Sequence, residues 1–100
     1  MAYKIEWTLQ SISTFEDIIH YLEKEWTKRE VENFVLEVEE KLKLIADRPR
    51  LYKESSKKKN VHRTVITRQT SLVYRVKSLK KEIELILFWD NRKNTKKLKY

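Results

Sequence analysis

The run Ile83-Glu84-Leu85-Ile86-Leu87-Phe88-Trp89 constrains this chain more than any other stretch. It is apolar on both faces, with Ile83, Leu85, Leu87 and Trp89 offset against Ile86 and Phe88, and it is rich in β-branched and aromatic residues. Such a run suits the most enclosed strand of a sheet. Ahead of it, Ser71 to Lys77 alternates strictly, with Leu72, Tyr74 and Val76 on one face and Val73, Arg75 and Lys77 on the other. Val61 to Thr67 is a third β-rich run, followed by a turn at Arg68-Gln69-Thr70. Three antiparallel strands therefore occupy Val61 to Trp89, and the remaining residues must cover or extend them.

The covering elements come first in the chain. Tyr3 to Trp7 alternates as a strand with Tyr3, Ile5 and Trp7 inward. Ile12, Phe15, Ile19, Leu22 and Trp26 then recur at steps of three and four, widened by Ile18, and form one helical stripe. Two starts are open for that helix, a capping box at Ser13 or a cap at Thr8. Thr27-Lys28-Arg29-Glu30 is a second capping box, opening a helix with Val31, Phe34, Val35, Val38, Leu42 and Ile45 on its stripe. Pro49 disfavours a helical Arg48, so this helix stops there. Two striped helices separated by so short a break form an antiparallel hairpin. The expected fold is α+β, in the order β-α-α-β-β-β, with an antiparallel four-stranded sheet and the hairpin packed on one face. All 100 residues make a single domain, in which residues 91–100 are a basic C-terminal tail. That tail is expected either to be mobile or to lie back across the sheet through Leu98 and Tyr100.

Composition removes whole classes of chemistry. There is no cysteine, which excludes disulfides and thiolate metal sites, and no glycine, which excludes P-loops and dinucleotide fingerprints. No metal site and no cofactor are expected. His20 and His62 stand alone, without an acid or hydroxyl partner at catalytic spacing, and read as surface or core residues. No apolar run approaches a membrane span and the N-terminus lacks a signal-peptide core, so a cytoplasmic protein with no membrane contact is expected. The net charge of +8 is unevenly spread: residues 1–47 hold six basic against eleven acidic side chains, residues 48–100 seventeen against four. A basic sheet half of this kind attracts polyanions or an acidic protein.

The whole chain resembles the RelE/ParE superfamily of bacterial type II toxin–antitoxin toxins. The resemblance rests on Ile5-Glu6-Trp7-Thr8 ahead of a helix, Phe15 to Leu22 within it, and the second helix closing on Ile45-Ala46-Asp47-Arg48-Pro49. It extends to Leu72-Val73-Tyr74-Arg75-Val76 and to the last strand running into Trp89-Asp90-Asn91-Arg92. It implies a growth-arresting toxin of a plasmid-stabilisation system, silenced by a cognate acidic antitoxin. The superfamily divides by target. RelE-type members are ribosome-dependent mRNA endoribonucleases, whereas ParE-type members inhibit DNA gyrase.

The resemblance also implies site residues. For a metal-independent nuclease they are Arg63, Arg75, Arg92 and Tyr100. Ser71 stands where RelE-type toxins are expected to hold phosphate with an arginine, and Leu98 falls near the position of their late tyrosine. This incomplete set favours the ParE-like reading, a binding inhibitor of gyrase. A RelE-like nuclease acting on the ribosome and mRNA is the alternative, and a non-toxic basic nucleic-acid-binding or adaptor domain the third. For contact with target or antitoxin, the expected residues are Arg63, Arg75, Lys77, Trp89, Arg92, Lys93, Lys96 and Lys97. The like-charge run Lys57-Lys58-Lys59 would add phosphate affinity if it lay beside the sheet.

Overall fold

The computed structural model describes residues 2–93 and 97–100. Its elements are β1 (Lys4–Trp7), α1 (Leu9–Glu25), α2 (Lys28–Asp47), β2 (Val61–Thr67), β3 (Thr70–Lys77) and β4 (Glu82–Asp90), which is the expected order. Thr8 caps α1, its Oγ1 accepting from Ser11 N–H at 3.0 Å, so the earlier of the two starts is used. The same hydroxyl donates to the Leu85 carbonyl at 2.7 Å, which fastens the helix start to the sheet. Thr27 caps α2 by accepting from Glu30 N–H at 3.3 Å.

The sheet order is β1-β4-β3-β2. β2, β3 and β4 form an antiparallel meander, but β1 pairs with β4 in parallel, so the sheet is mixed rather than wholly antiparallel. The reason lies in the connections. The helical hairpin carries the chain away from β1 and back to the end of the sheet where β1 began: Tyr3 N–H donates to the Ala46 carbonyl at the end of α2. β2 therefore sets out in the same sense as β1, and two tight turns leave β4 in that sense too. The strand read as the most enclosed lies between two neighbours, as its composition requires.

One bulge decides which side chains of β4 face the helices. Val73 pairs with Leu87 and Tyr74 with Leu85, which leaves Ile86 as an extra residue. Ile83 and Leu85 point to the helices, the alternation then slips, and Phe88 joins them while Ile86, Leu87 and Trp89 face the other side. Strict alternation placed Leu87 and Trp89 with Ile83 and Leu85, and the bulge moves both across the sheet. The Phe88 N–H beside the bulge is not left unpaired, because Thr14 Oγ1 of α1 accepts it at 2.9 Å.

The helix-side core joins Phe34, Val38 and Ile45 of α2 to Ile66, Leu72, Tyr74, Val76, Ile83, Leu85 and Phe88. An aromatic chain crosses it: Trp7 stacks on Phe88 at 5.7 Å, Phe88 meets Phe15 at 5.4 Å, and Phe15 stacks on Phe34 at 5.7 Å. Buried Tyr74 donates its hydroxyl to the Pro49 carbonyl at 3.0 Å. Burial raises the Tyr74 hydroxyl pKa, which keeps it a donor. Trp26, assigned to the α1 stripe from its spacing, is 54% exposed. It is the C-cap, its backbone has already turned extended, and the side chain swings off the stripe.

On the far side of the sheet Val61, Val73, Ile86 and Leu87 make a smaller cluster. Leu98 lies on it at 3% exposure, with Trp89 and Tyr100 packed alongside. The segment 97–100 thus folds back over the sheet, the docked option of the two expected for it. With no glycine available, Asn60 and Lys81 take the left-handed backbone of the turns, at φ 64° and 53°.

Candidate interaction surfaces

The residues proposed from sequence separate onto two surfaces. Arg63, Arg75, Lys77 and Trp89 share the far side of the sheet with Tyr100. Arg92 and Lys93 instead leave the end of β4 and reach the helix side. Lys97 is exposed, and Lys96 lies outside the described residues.

The far side carries more charge than free charge. Glu84, directly across from Arg75, takes both neighbouring cations, Arg75 Nη1 at 3.1 Å and Lys77 Nζ at 3.2 Å. Beside it on β1, Lys4 Nζ pairs with Glu6 at 3.1 Å, and that carboxylate raises the lysine pKa. Arg63 is exposed and makes no ion pair among the described residues. Lys57 Nζ donates to the Leu98 carbonyl at 2.8 Å, and Lys58 Nζ lies 5.5 Å over the Tyr100 ring, so the lysine run does lie beside the sheet. Ser71, at the opening of β3, is buried and donates to Asn91 Oδ1 at 2.8 Å. His62 is also buried, its Nδ1 2.8 Å from the Tyr52 carbonyl and its ring stacked on Tyr74.

The second surface is a groove of about 380 Å³ between the closed end of the helical hairpin, where α1 turns into α2, and the end of the sheet that holds the β2–β3 turn. Ile18, Leu22, Phe34 and Phe88 form its floor, and the exposed rings of Tyr21 and Trp26 stand over it. Its two rims differ in sign: Asp17, Glu30 and Glu37 on the helices, and Arg68, Arg92 and Lys93, partly offset by Asp90, on the sheet. Arg92 is clamped there. Its Nε and Nη2 donate to the two Asp90 carboxylate oxygens at 3.0 and 2.9 Å, and its Nη1 donates to the Tyr21 hydroxyl at 3.2 Å. The guanidinium also sits 4.9 Å from the Tyr21 ring centre. These bonds hold the Asp90 carboxyl below its ordinary range and raise the guanidinium pKa.

Sequence reasoning found Arg92 but missed the groove. The available signal was Trp26 immediately before the Thr27 cap, since a residue at a helix junction cannot keep the helical stripe. Chemically, the groove offers apolar burial between opposite charges, which suits an amphipathic protein segment.

The family model described as the ParE toxin of type II toxin-antitoxin system, parDE, matches residues 5–94. The chain belongs to this family, within the RelE/ParE superfamily of toxins. Solved structures share its fold at low sequence identity. One is the chromosomal ParDE toxin–antitoxin system from P. aeruginosa, with TM-score 0.73, 18% identity, and coverage of 89% of this chain and 96% of that one. The isolated E. coli RelE toxin gives TM-score 0.66, 14% identity, and coverage of 93% and 88%. The intact E. coli RelBE toxin–antitoxin complex gives 0.63, 15%, and coverage of 89% and 96%. No curated protein is significantly similar to the chain in sequence. No helix among the described residues is long and apolar enough to cross a membrane.

Proposed function

We propose that this ParE-family toxin acts in the cytoplasm by binding DNA gyrase, not by cutting mRNA, and that a cognate acidic antitoxin silences it. The observation that carries this reading is that three of its candidate cations, Arg75, Lys77 and Arg92, are held in ion pairs. A metal-free ribonuclease needs unpaired positive groups to stabilise the charge that builds on phosphate, and a group to protonate the leaving oxygen. Here one carboxylate, Glu84, engages both Arg75 and Lys77, Asp90 engages Arg92, and the position opening β3 is a buried serine. An inhibitor that works by surface complementarity needs none of that apparatus.

The groove is the surface we assign to the antitoxin. Its apolar floor takes the stripe of an amphipathic segment, and its oppositely charged rims fix the orientation. The second reading, a RelE-type ribosome-dependent nuclease, is favoured by one observation: unpaired Arg63 shares its face with Tyr100. Relaxed plasmid incubated with purified gyrase and ATP tests the first reading. Supercoiling should fall with rising toxin concentration; supercoiling unchanged at a large molar excess would remove gyrase as the target.

A further inference from the structure

The end of the sheet opposite the groove carries an apolar knob that the core does not use. β3 and β4 meet there in the turn Ser78 to Lys81, closed by Lys81 N–H donating to the Ser78 carbonyl at 3.2 Å. At its apex Leu79 is fully exposed. A leucine held wholly in water contributes nothing to folding and is free to pack against another molecule.

The knob is braced rather than loose. Arg50 Nη2 donates to Ser78 Oγ at 2.9 Å and reaches Asn60 Oδ1 at 3.4 Å, tying the turn to the loop after α2. On the other side Lys4 N–H donates to the Lys81 carbonyl at 2.9 Å. Lys80 and Lys81 follow the leucine, and Arg48 and Arg50 stand exposed on the neighbouring loop. Beside them is an open hollow of about 360 Å³ lined by Tyr3, Arg48, Pro49, Arg50 and Leu51, with Leu51 itself largely exposed. The acidic groups at this end are fewer: Asp47, half-buried Glu82, Glu54, which accepts from Asn60 N–H, and Glu6, which is already paired with Lys4.

We propose that this end of the sheet is the surface that engages the toxin's protein target, with Leu79 entering an apolar pocket whose rim is acidic. The proposal rests on the reading of the protein as a binding inhibitor. A protein fits this surface better than the other anionic partners do. One leucine gives far too little apolar burial to anchor to lipid, where even a whole acyl chain binds only marginally. Single-stranded nucleic acid calls for exposed aromatic rings to stack on, and the knob has none. An apolar side chain on a braced turn beside exposed arginines and lysines suits a protein partner that offers an apolar pocket with complementary acidic charge. The knob and the groove sit at opposite ends of β3, whose eight residues span about 25 Å. One surface can therefore be altered without touching the other.

Leu79→Asp and Lys80→Glu test this. Because the side chains lie in solvent, both variants should keep the wild-type melting temperature, which separates loss of contact from loss of fold. Leu79→Asp should weaken gyrase binding and supercoiling inhibition by about tenfold or more. Lys80→Glu should slow association by a smaller factor that shrinks as salt is raised. Growth arrest on expression gives a readout independent of gyrase. If the wild type arrests growth without touching gyrase, the gyrase reading fails, and relief of arrest by Leu79→Asp still supports the knob. The knob proposal is overturned if Leu79→Asp arrests growth as strongly as the wild type, or if the wild type does not arrest growth. It is also overturned if the change instead abolishes binding to phosphatidylglycerol vesicles or to plasmid DNA.

Discussion

The two faces of the sheet are covered in different ways. On one face two full helices bury a dry layer from Phe34 to Phe88, knitted by four stacked or tilted aromatic rings. On the other face a four-residue apolar cluster lies under Leu98 and its neighbours, and the rest of the surface is a pattern of paired charges. The first face accounts for the fold. The second has too little apolar area to contribute comparably, and its solvent-exposed ion pairs add little. The same strands thus supply stability on one side and leave the other free to diverge chemically.

Substitutions should reproduce that asymmetry. Phe34→Ala, in the thick layer and 3% exposed, should cost about 3–5 kcal/mol in a chemical denaturation curve. A loss below about 1 kcal/mol would mean that the layers are not packed as described. Leu98→Ala removes one equally buried side chain from the thin layer, which is open to relaxation, and should cost about 2 kcal/mol, the low end for such a change. If the two losses were equal, the two faces would be energetically alike and the contrast would fall.

Glu84→Gln probes charge without changing shape. Stability should change by less than about 1 kcal/mol. Affinity for single-stranded RNA should rise, and its salt dependence should steepen by about 0.7 in log–log slope, because removing one carboxylate frees one net positive charge to meet a phosphate. A slope identical to wild type would show that Arg75 and Lys77 are not masked by this carboxylate. The smallest effect belongs to Asp90. Its folded pKa is lowered, so the Arg92 pair stabilises the protein above the ordinary carboxylate range near pH 4 and is lost as pH falls through the lower folded value. The melting-temperature gap between wild type and Asp90→Asn should therefore hold from pH 7 to about 4 and narrow as pH falls further. A gap that did not narrow at all below pH 4 would contradict the pairing.

Much of this was legible before the structure. The element order, the helix break at Thr27, the stop at Pro49 and the inward faces of β3 follow from periodicity and capping, which are local signals. The direction of β1 was not legible, because it depends on where a helical hairpin returns the chain. Nor was the slip at Ile86: an uninterrupted apolar run carries no mark of which residue is the extra one. Arg75 and Arg92 were found as candidates through the family resemblance, one on an expected strand and the other just after the last. Cross-strand pairing with Glu84 is already plausible from the expected β3–β4 pair and falls to Arg75, whereas the Asp90 clamp on Arg92 shows only in three dimensions.

The claim that the sheet's own carboxylates silence its cations can be tested most directly by primer extension on a reporter mRNA translated in a purified system, with and without the toxin. Toxin that inhibits supercoiling in parallel should add no new strand ends at any codon. Toxin-dependent cuts appearing only on translated message would contradict the account and establish the endonuclease reading in its place.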